Sequence, residues 1–170
     1  MKPPPWAADV TSAPGGPRGP GRPRLVHARD DAQAGGRAAG EDAATPASVL
    51  IVEDDFLVAL AAEAALREAG FEVIGTVDSA EEAIAIAAAR RPSLVIMDIR
   101  LSGSRDGIEA AVELFRNHGI PCAFATAHAD AEAHRRAAPA QPRGWLQKPY
   151  SMPELVTLVR QVVADLDERR

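Results

Sequence analysis

Val49-Leu-Ile-Val-Glu-Asp-Asp55 is a run of four large apolar residues that halts on three consecutive carboxylates. An uninterrupted apolar run of this length suits a strand covered on both faces, as in a parallel sheet. Leu94-Val-Ile-Met-Asp98 repeats the pattern, apolar throughout and again ending on an acid. Pro121-Cys-Ala-Phe-Ala125 stops at Thr126, and the short Trp145-Leu-Gln147 stops at Lys148-Pro149. Phe71-Glu-Val-Ile-Gly-Thr-Val77 reads as one more strand, with no evident chemistry at its end.

Helical patterns fill the gaps. Leu57, Leu60, Ala61, Ala64 and Leu66 recur at helical spacing, and Gly70 closes that segment. Asp78-Ser79 followed by Glu82 is a capping-box signature for a helix running to about Arg90, which Pro92 ends. After a loop from Gly103 to Asp106, Ile108, Ala111, Val112 and Phe115 form one helical face. A weak helix is expected over about 129–137, fraying into a loop with Pro139 and Pro142. Ser151-Met-Pro-Glu154 is a second capping box, opening a helix that buries Leu155, Leu158, Val159, Val162 and Leu166. Five strands alternating with five helices predict an α/β fold, a doubly wound five-stranded parallel sheet with right-handed crossovers.

At 170 residues the chain has room for one ordinary domain, or a domain with a tail, and not for a large multi-domain enzyme. A net charge of −5 argues against a general nucleic-acid-binding surface. The single cysteine, Cys122, allows no internal disulfide and no Cys-based zinc site, and fits a reducing cytosol. No apolar run approaches the ~18–20 residues of a membrane span, and the N-terminus lacks the apolar core of a secretory signal. A cytoplasmic protein is expected, with neither nucleic acid nor membrane as a partner.

Composition changes near residue 46. Residues 1–46 hold 8 of the 14 prolines and 7 of the 13 glycines, too little apolar surface to offset the entropy of ordering, so a disordered tail is expected there. It reads as a basic-leaning interaction arm, as a passive tail, or as the result of a translation start placed too far upstream. Residues 47–170, with 13 basic and 19 acidic groups, form the expected domain.

In a parallel sheet the strand ends share one rim, where ligands bind. The rim expected here carries Glu53, Asp54, Asp98, Thr126 and Lys148. Clustered carboxylates repel one another and raise their own pKa values unless a cation joins them. Mg²⁺ fits, since it takes oxygen ligands and is satisfied by a few carboxylates plus water. A carboxylate can then attack phosphorus as a nucleophile, with a hydroxyl and an ammonium to hold the phosphoryl oxygens. Lys148 carries a separate signal: the sequence has 17 arginines and 2 lysines, the other being Lys2. Retaining lysine in so arginine-biased a chain points to a need for a compact point charge. For Glu53, Asp54 and Asp55 the competing account is helix capping, which leaves Asp98, Thr126 and Lys148 unexplained.

Taken in order, Val49-Leu-Ile-Val-Glu-Asp-Asp55, Val95-Ile-Met-Asp-Ile-Arg-Leu101, Phe124-Ala-Thr-Ala127 and Gln147-Lys-Pro-Tyr150 resemble the receiver domain of two-component response regulators, of the stand-alone, chemotaxis-regulator-like kind. The resemblance spans essentially all of 47–170 and implies a (βα)5 flavodoxin-like fold. It implies that Asp98 accepts a phosphoryl group from a sensor histidine kinase or histidine phosphotransfer protein. By the same resemblance, Glu53, Asp54, Asp98 and the backbone carbonyl of Arg100 would hold Mg²⁺, with Asp55 one position too late and serving to start a helix. Thr126 and Lys148 would engage the phosphoryl group. Trp145 falls where the family places its switch aromatic, although a partly buried packing role fits it too. Arg100 and His128 are bulky at positions two beyond Asp98 and Thr126, where family side chains influence the attacking water.

No output module follows the last helix, so the expectation is a single-domain regulator that signals to an unknown downstream protein by contact and is not an enzyme beyond its own phosphorylation and dephosphorylation. Three rival readings fit less well. A Mg²⁺-dependent aspartyl-phosphate phosphatase would carry an acid two residues after the nucleophile, where Arg100 stands. A phosphorylation-independent binding module would not need the intact acid, Thr and Lys set. A histidine metal site would need better spacing than His118, His128 and His134 offer.

Overall fold

The computed structural model describes residues 46–169; all but the last position of the 1–46 tail expectation therefore lies outside the described residues. The order is β1 (Ser48–Val52), α1 (Phe56–Glu68), β2 (Glu72–Val77), α2 (Ala80–Arg90), β3 (Leu94–Met97), α3 (Gly107–His118), β4 (Cys122–Thr126), α4 (Ala131–Ala137), a 3-10 turn (Ala138–Ala140), β5 (Trp145–Gln147) and α5 (Met152–Asp167). The five strands form one parallel sheet in the order β2-β1-β3-β4-β5. This is the doubly wound (βα)5 arrangement expected. Among the described residues no helix is long and apolar enough to cross a membrane.

β1, β3 and β4 are central and buried on both faces, which is why their sequences show no polar alternation. Alternate side chains feed two cores. Leu50, Val52, Val95, Met97, Cys122 and Phe124 pack under α2, α3 and α4. Val49, Ile51, Leu94, Ile96, Ala123 and Ala125 pack under α1 and α5. Burying each of the larger aliphatic side chains contributes about 1.5–3 kcal/mol, so β1, β3 and β4 anchor the rim firmly, while the short β5 is only partly buried. Burial also pushes the Cys122 thiol up to about 12, leaving it a packing group.

Three expectations need correction. The α1 stripe of Leu57, Leu60, Ala61 and Ala64 faces solvent, and Ala59, Ala62 and Leu66 face the sheet. Both sets have helical spacing; the alanines are buried because they let α1 lie close to the strands. Phe56, Leu57 and Leu60 are consequently exposed. At α2, Ser79 is the N-cap in backbone conformation, yet its hydroxyl makes no capping bond. The Asp78–Ser79 backbone is instead drawn to the loop after β3, through the Ser79–Ser102 bridge and the Ser102 N–H to Asp78 carbonyl bond of 3.1 Å. Pro139 does not lie in a loop: it sits in the 3-10 turn that continues α4. The Ser151–Glu154 capping box forms as read, and a second one, Asp106 with Glu109, opens α3.

Gly107 ties fold to rim. A Cβ there would lie 1.9 Å from the Asp98 carbonyl oxygen, and its N–H bonds the Ile99 carbonyl at 2.8 Å. No side chain fits without moving Asp98 or α3. Gly107→Ala is expected to lower stability by about 1–3 kcal/mol, as overpacking does, measured as a reduced urea midpoint. An unchanged midpoint would show that this approach is slack.

Candidate functional site

The sheet ladder runs on into the functional residues. The Glu53 N–H bonds the Val77 carbonyl, the Asp98 N–H the Val52 carbonyl and the Lys148 N–H the Thr126 carbonyl, each at 2.9 Å. The three backbones are thus fixed where β1, β3 and β5 end, and Thr126 closes β4 beside them. Strand order reverses between β1 and β3, the place where open α/β sheets leave a crevice for ligands. Glu53, Asp54 and Asp98 stand at that point.

Among the described residues the buried polar side chains are Glu53, Asp98 and Thr126. Each sits at a strand end that the sequence marks as polar. The Lys148 ammonium lies 2.8 and 2.7 Å from the two Glu53 carboxylate oxygens and 2.6 Å from Asp98 Oδ2, donating to both acids. Asp98 Oδ1 accepts from the Arg100 N–H at 3.3 Å, and Glu53 Oε1 from the Asp55 N–H at 3.4 Å. Thr126 Oγ1 accepts from the His128 N–H at 3.2 Å.

The electrostatics follow from burial against charge. Desolvation pushes the Glu53 carboxyl above its usual value, with Lys148 working against the shift and the Asp98 charge adding to it. Burial acts to lower Lys148, but its hydrogen bonds to Asp98 and Glu53 outweigh that and hold it above the usual lysine value. Tyr150 is raised by burial and then by the Glu53 charge.

One carboxylate oxygen from each of Glu53, Asp54 and Asp98 falls within a mutual distance of 4.8 Å. Asp54 is exposed, while the other two are buried. An all-oxygen set of this size, open to water on the Asp54 side, suits a hard divalent cation that keeps part of its hydration. Asp55 stands apart from the acid cluster: its carboxylate caps α1, accepting from the Leu57 and Val58 N–H groups. The capping account therefore holds for Asp55 and not for Glu53.

Arg100 and His128 line an adjoining cleft of about 470 Å³ between the loops after β3 and β4. Arg136 of α4 crosses it to pair with Asp106, the N-cap of α3. Trp145 is half-buried and lies between two rings, Phe124 at 4.6 Å and His134 at 4.0 Å between centroids. The structure thus brings Glu53, Asp54, Asp98 and Lys148 together, with Thr126 ending the neighbouring strand and Arg100 beside them, whereas Trp145 lies at the far end of β5. Sequence reasoning missed Gly107, and it weighed His134 only as a poorly spaced metal-ligand candidate, not as a partner of Trp145. The Asp106-Gly107 pair was a visible signal for the first; nothing in the sequence marks the stacking.

Comparison with known proteins agrees with this geometry. The response regulator receiver domain family matches residues 49–160. The chain belongs to this family. Among its relatives is the transcriptional regulatory protein PdtaR of Mycobacterium tuberculosis, 35% identical over 127 residues, which cover 75% of this chain and 62% of PdtaR. The phyllosphere-induced regulator PhyR of Methylorubrum extorquens is 36% identical over 101 residues, 59% of this chain and 37% of PhyR. The chain therefore spans less than two thirds of the length of these relatives. The signal receiver domain of a modulated diguanylate cyclase from Desulfovibrio desulfuricans matches 74% of the chain and 100% of its own, with 32% identity and a TM-score of 0.68. A CheY-like receiver from Methanospirillum hungatei shares the fold at 20% identity, with a TM-score of 0.69, 74% coverage of this chain and 100% of its own.

If Lys148 neutralises this receiver's acid pair, Lys148→Met should push the Glu53 carboxyl still higher, seen as a later midpoint in a carboxyl-carbon NMR titration. A folded pKa above the unfolded one means that Glu53 contributes most to stability below about 4.5 and progressively less as pH rises through the raised value. Stripping the cation should remove about 1–3 kcal/mol at neutral pH, and the gap to wild type should narrow on acidification as Glu53 protonates. A gap independent of pH would assign Lys148 a packing role only.

Proposed function

We infer that this receiver takes a phosphoryl group onto Asp98 from a histidine kinase or histidine phosphotransfer protein. The observation that supports this most directly is the buried Asp98 carboxylate held at the switch point by Lys148 and faced by two further acids. A buried acid with a cation at one oxygen and a weak backbone donor at the other is positioned, yet keeps a lone pair for attack.

An Asp98 oxygen attacks the phosphorus of a phosphohistidine in line with the P–N bond. That bond breaks with its electron pair left on the imidazole nitrogen, which takes a proton from solvent. The phosphoryl group keeps its three outer oxygens and ends bonded to Asp98. Glu53, Asp54, Asp98 and the backbone carbonyl of Arg100 would hold Mg²⁺. When bound, the ion offsets the negative charge that builds on the phosphoryl oxygens. Lys148 then exchanges its contact with the Asp98 carboxylate for one with a phosphoryl oxygen. Thr126 turns so that its hydroxyl, which accepts from the His128 N–H, leaves that donor and donates its own proton to a second phosphoryl oxygen. Hydrolysis reverses the state: water attacks the phosphorus, the Asp98–phosphoryl bond breaks, and inorganic phosphate leaves. The chemistry is confined to the protein's own aspartate, and the output is contact with a downstream protein.

Phosphorylation favours an active conformation only as far as it binds that conformation more tightly. Moving a population from about 1:99 to about 99:1 needs about 5.5 kcal/mol. Charge-assisted bonds from Lys148 and Thr126, at about 1.5–3 kcal/mol each, together with repacking of Trp145, reach that order.

Intact mass after incubation with acetyl phosphate and Mg²⁺ tests the reading. A phosphoryl adduct should form, require Mg²⁺, and vanish in Asp98→Asn. Thr126→Ala should still take the adduct and lose any conformational response. No adduct, with no retention of beryllofluoride, would overturn the assignment.

A further inference from the structure

The aromatic sandwich at β5 has a continuation that leads back to the site. The imidazole of His134, on α4, lies at 4.0 Å and 23° over the Trp145 indole, which rests on Phe124 at its other side. Phe124 is fully buried and paired in register with Trp145, so that side is immovable. His134 is the exposed half and belongs to a helix of seven residues. So short a helix holds its place through its cap and its packing rather than through intrinsic stability.

The imidazole is also pinned. His134 Nδ1 is 2.9 Å from the Asp130 carbonyl oxygen. A carbonyl cannot donate, so Nδ1 carries the proton and the ring orientation is set by Asp130. Asp130 in turn caps α4, its carboxylate accepting from the Ala133 N–H at 2.8 Å. Asp130 lies two residues beyond His128, whose N–H is the donor to Thr126 Oγ1. A path therefore runs from Thr126 to His128 by a hydrogen bond, along the backbone to Asp130, and from Asp130 through His134 to Trp145 by a hydrogen bond and a ring stack.

We propose that His134 is a positioning residue that couples Thr126 to Trp145: its stack holds the indole against Phe124 in the unphosphorylated protein, and its Nδ1 bond moves the ring when the Thr126–Asp130 segment moves. This rests on the phosphoacceptor reading of Asp98, which supplies the event that draws Thr126 off the His128 N–H. Phosphorylation then shifts residues 127–130, Asp130 carries the imidazole with it, and the outer face of Trp145 is uncovered. Two of the links are bonds made by the backbone of residues in one loop, so a small displacement at Thr126 reaches the ring without a rearrangement of the core.

Trp145 fluorescence in the full chain reads this, with Trp6→Phe removing the other tryptophan. Two variants separate stacking from coupling. His134→Ala removes both; His134→Phe keeps a ring on the indole and removes the Nδ1 donor. In the parent, acetyl phosphate with Mg²⁺ should shift the emission maximum to the red and raise acrylamide quenching. His134→Ala should be at least 2-fold more quenchable than the parent before any phosphorylation. His134→Phe should match the parent at rest, form the Asp98 adduct by mass to the same extent, and show a fluorescence response reduced at least 3-fold. A purely structural role for His134 predicts instead that phenylalanine restores the full response, and that result overturns the coupling. Unchanged quenching in His134→Ala overturns the stack. An adduct on the parent with an unmoved indole overturns this inference alone, whereas a parent that takes no adduct overturns the Asp98 reading and the coupling with it.

Discussion

The Lys148 ammonium between the Glu53 and Asp98 carboxylates is the contact on which the rest of the rim depends. Two acids buried side by side are unstable as a charged pair, because each loses water and gains a like-charged neighbour. One cation bridging both makes the arrangement tolerable without filling it. The same ammonium is 21% exposed and stands at the end of a three-residue edge strand, so it has room to follow a change in the charge it faces. Lysine suits this better than arginine, whose planar fork would prefer one carboxylate in bidentate geometry over two in a shared one.

Position comes from the sheet. Glu53, Asp98 and Lys148 each extend the parallel ladder by one backbone bond beyond the strand; Glu53 and Asp98 follow buried strands, while Lys148 ends the half-buried edge strand and leans on the buried Thr126. The helical side is built differently. Gly107 brings α3 against the Asp98 carbonyl, and Arg136 pairs α4 with the α3 cap. The site thus has a stiff floor of strand ends and a wall of short loops and a seven-residue helix. The Asp98 carboxylate is rigidly placed, while its surroundings on the helical side are lighter and more adjustable.

The fold and the acids that cluster at the rim could be read from sequence because burial and polarity change abruptly at the same positions. Val49–Val52 and Leu94–Met97 allow no polar residue, and the first residue past each is an acid with no reason to be there except use. The α1 face could not be read so: alanine and leucine are both apolar at helical spacing, and which set turns inward is decided by how closely the helix approaches the sheet. The Ser79 hydroxyl likewise fails to cap because a loop distant in sequence engages its backbone. The stacking of His134 on Trp145 could not be read for a related reason. It depends on α4 lying across β5, a tertiary placement that no local pattern encodes.

The arginine bias of the chain has a consequence for how it can be interrogated. Arg67, Arg90 and Arg91 each satisfy a backbone carbonyl, of Val73, Ile74 and His118 respectively, work that a lysine could share. With those positions given to guanidinium groups, Lys148 is the one lysine within residues 46–169. An amine-selective reagent therefore finds a single side-chain target in the described domain, and that target is the counter-ion of the Glu53 and Asp98 carboxylates. Its rate of modification is a chemical gauge of the rim: slow while two acids hold the ammonium protonated, and altered by whatever occupies the space between them.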